Sequence, residues 1–396
     1  MEIKTIKKIK NLKGKTIFLR VDFNVSLDKG KIKDDYRIKA TLKTINFLAD
    51  KGARIILASH LGDPKGKVLK EYSLYPVALR LRRLLKRPLK FPGELNGLKV
   101  KKALLKLLPG EILLLENLRF DKRELEDDKE FARELASLAD IYVNEAFSVS
   151  HRQQASVSAI KNYLPAYAGL LLEEEIKALN KIKEPKKPLV VIMGGAKIKT
   201  KAPLIKKLEK KATKVLLGGA LANNFWKYQK MEIGSSLYDA DSLDEVENFF
   251  TNGKIKTKIV LPIDVVVLNK KKQLRLCRPQ EVKKDEAIFD IGPETISLYA
   301  KYIKDAQTLV WNGPLGKFED NHFKQGTLSI ARLVAARSQG KAYGLVGGGE
   351  TVAALNLSKM GEYVDFISTA GGAMLSYLGG EKMPGLEKII IATKKR

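Results

Sequence analysis

The chain alternates short apolar, β-branched runs with helix-periodic stretches along its whole length, and that alternation leaves few folds open. Runs at 16–21, 53–58, 111–115 and 141–143 in the first half read as strands buried on both faces. So do runs at 189–193, 214–217, 259–261, 308–311 and 342–346 in the second. Strand, helix, strand at this spacing predicts parallel sheets with right-handed crossovers. With 396 residues the chain is long enough for two domains of roughly 150–200 residues each. The expected class is α/β, with two doubly wound parallel-sheet domains. A helical stretch at 173–179 leads into Lys183-Glu-Pro-Lys-Lys-Pro188, a charged, Pro-punctuated segment that suits a domain boundary.

Composition excludes several classes. No apolar run reaches the roughly 18–20 residues of a membrane span, and the Lys-rich N-terminus has no signal-peptide core. Cys277 is the only cysteine, so neither an intramolecular disulfide nor a cysteine zinc cluster can form. A cytoplasmic protein is expected. The formal net charge of +28 is spread over both halves: residues 1–170 carry 35 basic and 20 acidic side chains, residues 171–396 carry 38 and 25. Such a field draws in anionic substrates and favours weak contact with polyanions. No finger or aromatic-interleaved basic motif marks a dedicated nucleic-acid role. The most basic stretch, 75–90, sets Val77, Leu81, Leu84 and Leu85 on one helical face and its arginines mostly on the other, as a solvated helix does.

Two sets of residues point to phosphate. Arg20, Arg37, His60, Arg119 and Arg152 supply planar or charged donors that match oxyanion geometry. In the second half, Met193-Gly-Gly-Ala-Lys197, Leu217-Gly-Gly-Ala220, Val346-Gly-Gly-Gly349 and Thr369-Ala-Gly-Gly372 are glycine turns of the kind that bring backbone N–H groups to a nucleotide's phosphates at helix starts. These residues fall just after predicted strands, at the carboxyl ends where α/β sheets bind ligands. Together they suggest phosphoryl transfer between a small phosphorylated acid and a nucleotide.

Ten short words in a fixed order identify the family that the chain resembles. They are Arg20-Val-Asp-Phe-Asn-Val25, Ser59-His-Leu-Gly62, Glu116-Asn-Leu-Arg-Phe120 and Glu145-Ala-Phe-Ser-Val-Ser-His-Arg152, then Gly194-Gly-Ala-Lys197, Leu261-Pro-Ile-Asp264 and Asp290-Ile-Gly-Pro293, then Trp311-Asn-Gly-Pro314, Gly347-Gly-Gly-Glu-Thr351 and Ile367-Ser-Thr-Ala-Gly-Gly372. With them the sequence resembles phosphoglycerate kinases over essentially its whole length. The resemblance implies a glycerate-binding domain at 1–170, a hinge helix at 171–185, a nucleotide domain at 186–375 and a tail at about 376–396 packing back on the first domain. It also implies a monomer that transfers a phosphoryl group reversibly between 1,3-bisphosphoglycerate with ADP and 3-phosphoglycerate with ATP, with Mg²⁺, in line on hinge closure. Arg20, Asp22, Asn24, Arg37, His60, Arg119 and Arg152 are then the expected glycerate residues. Gly195, Lys197, Lys201, Gly218, Asn312, Pro314, Glu319, Gly348, Gly349, Glu350 and Thr351 are the expected nucleotide residues. Arg37, Lys197, Lys201, Gly349 and Gly372 are expected to serve the transferring phosphoryl group, and Glu350 the metal. The physics suits such a set, because this transfer rests on alignment and charge neutralisation.

Several positions depart from the family pattern, most of them at the expected site. Asp63 stands where Arg is usual, Gln154 where a second His is, and Thr200 for an Asp. Glu350 and Glu145 each replace Asp, and Ala370 replaces the first Gly of a triple. The expectation is an active, divergent kinase; the alternative is a degraded homologue that binds nucleotide without turnover. A dinucleotide-dependent oxidoreductase would need a Gly-x-Gly-x-x-Gly turn followed by an acidic residue, and no such fingerprint is placed where that fold needs it.

Overall fold

The computed structural model describes residues 2–208, 211–251 and 258–391. The residues cluster in two compact units, Met1–Lys177 with Lys382–Arg396, and Ala178–Glu381. Each unit has its own parallel six-stranded sheet among the described residues.

In the first unit the strands are β1 (Thr16–Arg20), β2 (Arg54–Ala58), β3 (Leu89–Lys90), β4 (Ile112–Leu114), β5 (Ile141–Asn144) and β6 (Ala166–Ala168), in the order β3-β4-β2-β1-β5-β6. Every residue of β1, β4 and β5 is buried, which is why these runs carry continuous apolar sequence rather than alternation. Helices α1 (Tyr36–Asp50) and α2 (Tyr75–Leu85) cover the sheet with Ile45, Leu48, Val77 and Leu81, which share one core with Ile17, Leu19, Ile55 and Leu57. Helix α3 (Leu170–Lys183) follows β6, and the division between the units falls within it, after Lys177.

The chain's end returns to the first unit. Ile390–Ile391 pairs antiparallel with Glu2–Ile3. The buried Lys161 ammonium donates to the Pro384 carbonyl and, at 3.0 Å, to that of Glu387. Of the expected tail, residues 392–396 lie outside the described residues, and Gly371–Gly379 is a helix of the second unit.

The second unit contains β7 (Leu189–Met193), β8 (Lys214–Leu217), β9 (Ile259–Val260), β10 (Val265–Asn269), β11 (Leu274–Cys277), β12 (Glu286–Ile291), β13 (Thr308–Asn312), β14 (Tyr343–Gly347) and β15 (Phe366–Ser368). Its parallel sheet runs β9-β8-β7-β13-β14-β15. Strands β10 to β12 form a separate antiparallel sheet that the apolar pattern does not reveal, because Leu274 and Leu276 of β11 face solvent. Helices α4 (Ala220–Tyr228), α5 (Gln325–Ser338), α6 (Gly349–Leu357) and α7 (Gly371–Gly379) complete the parts that bear on the site. In each unit the order reverses next to the first strand, between β1 and β5 and between β7 and β13, and the sequence motifs gather at the carboxyl ends there. Among the described residues no helix is long and apolar enough to cross a membrane.

Candidate active site

In the first unit a partly buried cationic cluster forms where five chain segments converge. Asp22 and Asn24 lie on the loop leaving β1, Arg37 on the first turn of α1, and His60 just beyond β2. Arg119 sits in the single turn Leu118–Phe120, and Arg152 is exposed after the turn Phe147–Val149. Asp22 organises the loop: one oxygen accepts from the Asn24 amide at 2.9 Å, the other from Arg37 Nη1 at 2.6 Å and from the Ser148 hydroxyl. Asn24 in turn accepts from the Gly62 amide at 2.9 Å, which ties the β1 and β2 loops together. Burial pushes the Asp22 carboxyl up, but Arg37 and the hydrogen bonds outweigh it, so it stays ionised to lower pH than usual.

Arg119 is 5% exposed and spends only one donor, Nη1 to the Gly62 carbonyl at 2.6 Å. Its Nε and Nη2 are buried with no partner among the described residues. Burial lowers its pKa, and the nearby charges of Arg152 and Arg20 lower it further. Orphaned guanidinium donors among like charges are costly, roughly 1–3 kcal/mol per unsatisfied group, unless an anion joins them. Arg20 differs from the rest: it is 0% exposed, and its guanidinium is engaged by Ser156 Oγ at 2.9 Å, the Val21 carbonyl at 2.5 Å and His60 Nδ1 at 3.4 Å. It therefore stands behind His60 rather than at the surface of the cluster.

The second unit meets the same task with backbone. Gly194 and Gly195, after β7, donate to the carbonyls of Asn312 (3.0 Å) and Pro314 (2.8 Å), so the loops leaving β7 and β13 touch main chain to main chain. A Cβ on Gly194 would sit 1.9 Å from the Pro314 carbonyl oxygen, and one on Gly313, at φ +93, 2.3 Å from that of Gly194. Asn312 Nδ2 donates to the Gly347 carbonyl at 2.8 Å, and the buried Thr351 hydroxyl accepts from the Gly313 amide at 2.6 Å. Gly348, at φ +102, is the cap of α6, and Gly371 opens α7; a Cβ on Gly371 would come within 3.8 Å of the Gly348 Cα. The two helix starts therefore lie side by side, and around Gly349 and Gly372 a Cβ would meet nothing within 4 Å. Backbone donors at adjacent helix N-termini suit phosphate oxygens.

Beside them lies a cavity of about 360 Å³ whose lining includes Gly195, Gly219, Asn223, Leu237, Phe289, Pro314, Glu319 and Glu350. Lys201 is buried, its Nζ 3.1 Å from the Cβ position of Gly195, while Glu350 Oε2 lies 4.0 Å from that same point. Burial lowers the Lys201 pKa and the Glu350 charge opposes it. Lys197 is exposed on the turn leaving β7. Gly218 packs on Leu315, whose Cδ2 lies 2.6 Å from the Cβ position, and Gly219 rather than Gly218 lines the cavity. Asn223, Leu237 and Phe289 were not singled out by the sequence motifs; the one signal was the pair Asn223 and Asn224, buried in the middle of a mostly apolar helix, α4.

The departures sit without backbone conflict. Ala370 has φ −107, an ordinary conformation, and is buried at the start of α7. Thr200 is exposed and donates to the Lys197 carbonyl at 3.0 Å. Gln154 is buried with its Oε1 unpartnered among the described residues. Asp63 is exposed and its charge acts on Arg119. Glu145 accepts from the Thr44 hydroxyl and from the Leu171 (3.1 Å) and Leu172 (3.2 Å) amides, capping α3.

Known proteins resemble the chain over nearly its whole length. A sequence model of the phosphoglycerate kinase family matches residues 6–381. A phosphoglycerate kinase of Thermomicrobium roseum is 42% identical over 375 residues, covering 93% of this chain and 95% of its own. The solved phosphoglycerate kinase of Coxiella burnetii superposes with a TM-score of 0.84 at 38% identity, covering 98% of this chain and 99% of that one. That of Pyrococcus horikoshii OT3 superposes with a TM-score of 0.85 at 29% identity, covering 98% of each. The chain belongs to the phosphoglycerate kinase family.

Proposed function

We propose that the first unit holds the glycerate and the second the nucleotide in the family's reversible transfer between 1,3-bisphosphoglycerate with ADP and 3-phosphoglycerate with ATP. Arg37, His60, Arg119 and Arg152 take the glycerate's charged ends, with Asp22 and Asn24 at its hydroxyl and carboxylate. Arg20 supports them from behind. The observation that carries this reading is Arg119, a buried cation with two unused donors among like charges, which calls for an anionic ligand. Arg37 spends Nη1 on Asp22; the rest of its fork is suited to the equatorial oxygens of the moving phosphoryl group.

In the second unit the N-termini of α6 and α7, with Gly348, Gly349 and Gly372, receive the nucleotide phosphates. Lys201 and Lys197 neutralise them, and Asn312, Pro314, Glu319 and Thr351 shape the pocket. Among the described residues no group of three or more potential metal-ligand side chains occurs. A single carboxylate, Glu350, beside the helix start fits a Mg²⁺ that arrives with the nucleotide and keeps most of its waters. Bound there, Mg²⁺ would neutralise phosphate charge. The protein is read as cytoplasmic and monomeric, its positive field drawing in both anionic substrates.

The test is ATP-dependent phosphorylation of 3-phosphoglycerate, coupled to glyceraldehyde-3-phosphate dehydrogenase and followed as NADH loss. Turnover supports the assignment. Mg-ADP binding by the folded protein without turnover would instead favour the degraded binder, an alternative that the comparisons do not support.

A further inference from the structure

Behind the proposed glycerate site lies a buried chain of polar groups that the phosphoryl-transfer roles leave unused. Glu124 is 0% exposed; its Oε2 accepts from the Ser156 amide at 2.9 Å and its Oε1 from the Ser156 hydroxyl at 2.7 Å. The same hydroxyl accepts from Arg20 Nε at 2.9 Å, and Arg20 Nη2 lies 3.4 Å from His60 Nδ1. Arg20, Ser156 and Glu124 are fully shielded from bulk solvent.

The direction of the last contact follows from chemistry. A guanidinium has only donors. His60 Nδ1 must therefore accept, which leaves the imidazole neutral with its proton on Nε2. Burial raises the Glu124 pKa, and the Arg20 charge and the Ser156 hydrogen bonds oppose that rise, as they do where a carboxylate offsets a buried cation. We propose that Glu124, Ser156 and Arg20 form a relay of positioning residues that fixes His60 as the neutral Nε2–H tautomer, so that it meets the glycerate anion as a hydrogen-bond donor at a constant charge. The surroundings agree. Burial drives the His60 pKa well below its ordinary value, with Arg20 on β1, Arg119 on its turn and Arg152 adding to the effect and Asp22 on the β1 loop opposing it. The inference rests on the glycerate reading of this site only for its kinetic consequence; the tautomer itself does not depend on it.

The experiment is ¹⁵N NMR of the imidazole nitrogens in the full chain, which has three histidines, assigned with His151→Gln and His322→Gln. The expected wild-type spectrum has His60 Nδ1 bare and Nε2 protonated throughout pH 5.5–8, a window around the ordinary imidazole pKa of about 6.5. A protonated Nδ1, or a titration at the ordinary imidazole value, would overturn the proposal. In Ser156→Ala, Nδ1 should gain partial protonation. Its KM for 3-phosphoglycerate should rise about tenfold while kcat changes less than about twofold, the signature of a lost ground-state hydrogen bond. A Ser156→Ala protein with the wild-type spectrum and KM would show that the relay does not act on His60. If Ser156→Ala does not fold, Ser156→Cys, a weaker donor and acceptor, is read by the same two criteria. A wild-type protein that does not bind 3-phosphoglycerate at all would sink the functional assignment and leave the tautomer result standing.

Discussion

At the switch point of the first sheet the proposed ligand groups are side chains, several of them held by other side chains, whereas at that of the second the loops leaving β7 and β13 are backbone turns with no room for a Cβ at Gly194 and Gly313. Asp22, Asn24 and Gly62 link loop to loop through carboxylate and amide side chains, and Arg119 keeps donors in reserve. In the second unit Gly194 and Gly313 meet carbonyl to backbone at distances that exclude any side chain. A small rigid acid needs charge placed at several points around it, which forked guanidinium groups supply. A polyphosphate needs many short contacts along one edge, which helix starts supply. The contrast predicts different responses to mutation.

The largest effect is expected where backbone meets backbone. Gly194→Ala puts a methyl 1.9 Å from the Pro314 oxygen, and neither partner can rotate away. Loss of Mg-ADP binding and destabilisation of more than about 3 kcal/mol are expected in calorimetry; a variant with wild-type affinity and melting would break the contrast. Next comes Arg37→Ala. Given its proposed role at the transferring phosphoryl group, removal of this arginine should lower kcat about 10³-fold or more in the coupled assay, with Mg-ADP affinity unchanged.

The third prediction concerns a feature that the two units share. Burial pushes Glu145, which caps α3, up to about 7 against its hydrogen bonds from Thr44 and the Leu171 and Leu172 amides. It likewise pushes Asp290, which accepts from the Gly326 amide of α5 at 2.8 Å, to about 7. A carboxyl whose folded pKa is raised holds its proton more tightly when folded. The stability it contributes is present at low pH and is lost as pH rises through about 7. The slope is at most about 1.4 kcal/mol per pH unit for each group between its unfolded and folded pKa. Denaturant titrations from pH 5 to 8 should show the decline, and Glu145→Gln and Asp290→Asn should each flatten it. An unchanged slope in both variants would show that neither carboxyl titrates there. The smallest effect sharpens the first-unit side of the comparison. Asp63 sets a negative charge near Arg119, and Asp63→Arg should lower the KM for 3-phosphoglycerate about tenfold; an unchanged KM would remove Asp63 from the site.

Much of this was legible in the sequence because it rests on local patterns. The runs that became β1, β2, β7 and β13 have apolar centres without alternation, with polar residues such as Thr16, Arg20, Arg54, Thr308 and Asn312 only at their ends, and their shortness marks them as strands buried on both faces. The small antiparallel sheet was hidden because Leu274 and Leu276 put apolar side chains on a solvent face, so the alternation points the wrong way. The second rank of the site was hidden for another reason. Glu124 and Ser156 lie 32 residues apart and Arg20 lies 136 from Ser156, and only the sheet brings them together. Arg20 reads as a site arginine from its motif, yet its zero exposure is a property of packing that no motif carries. Gly218 and Gly219 are equivalent in the sequence and are separated only by what each one touches.

The measurement that tests the two-mode account most directly is calorimetric titration of both ligands into two variants, Arg119→Met and Lys201→Met. The account predicts a double dissociation: Arg119→Met loses 3-phosphoglycerate and keeps Mg-ADP, while Lys201→Met weakens Mg-ADP and keeps 3-phosphoglycerate. If either variant lost both ligands to a similar degree while remaining folded, the assignment of one ligand to each unit would be contradicted.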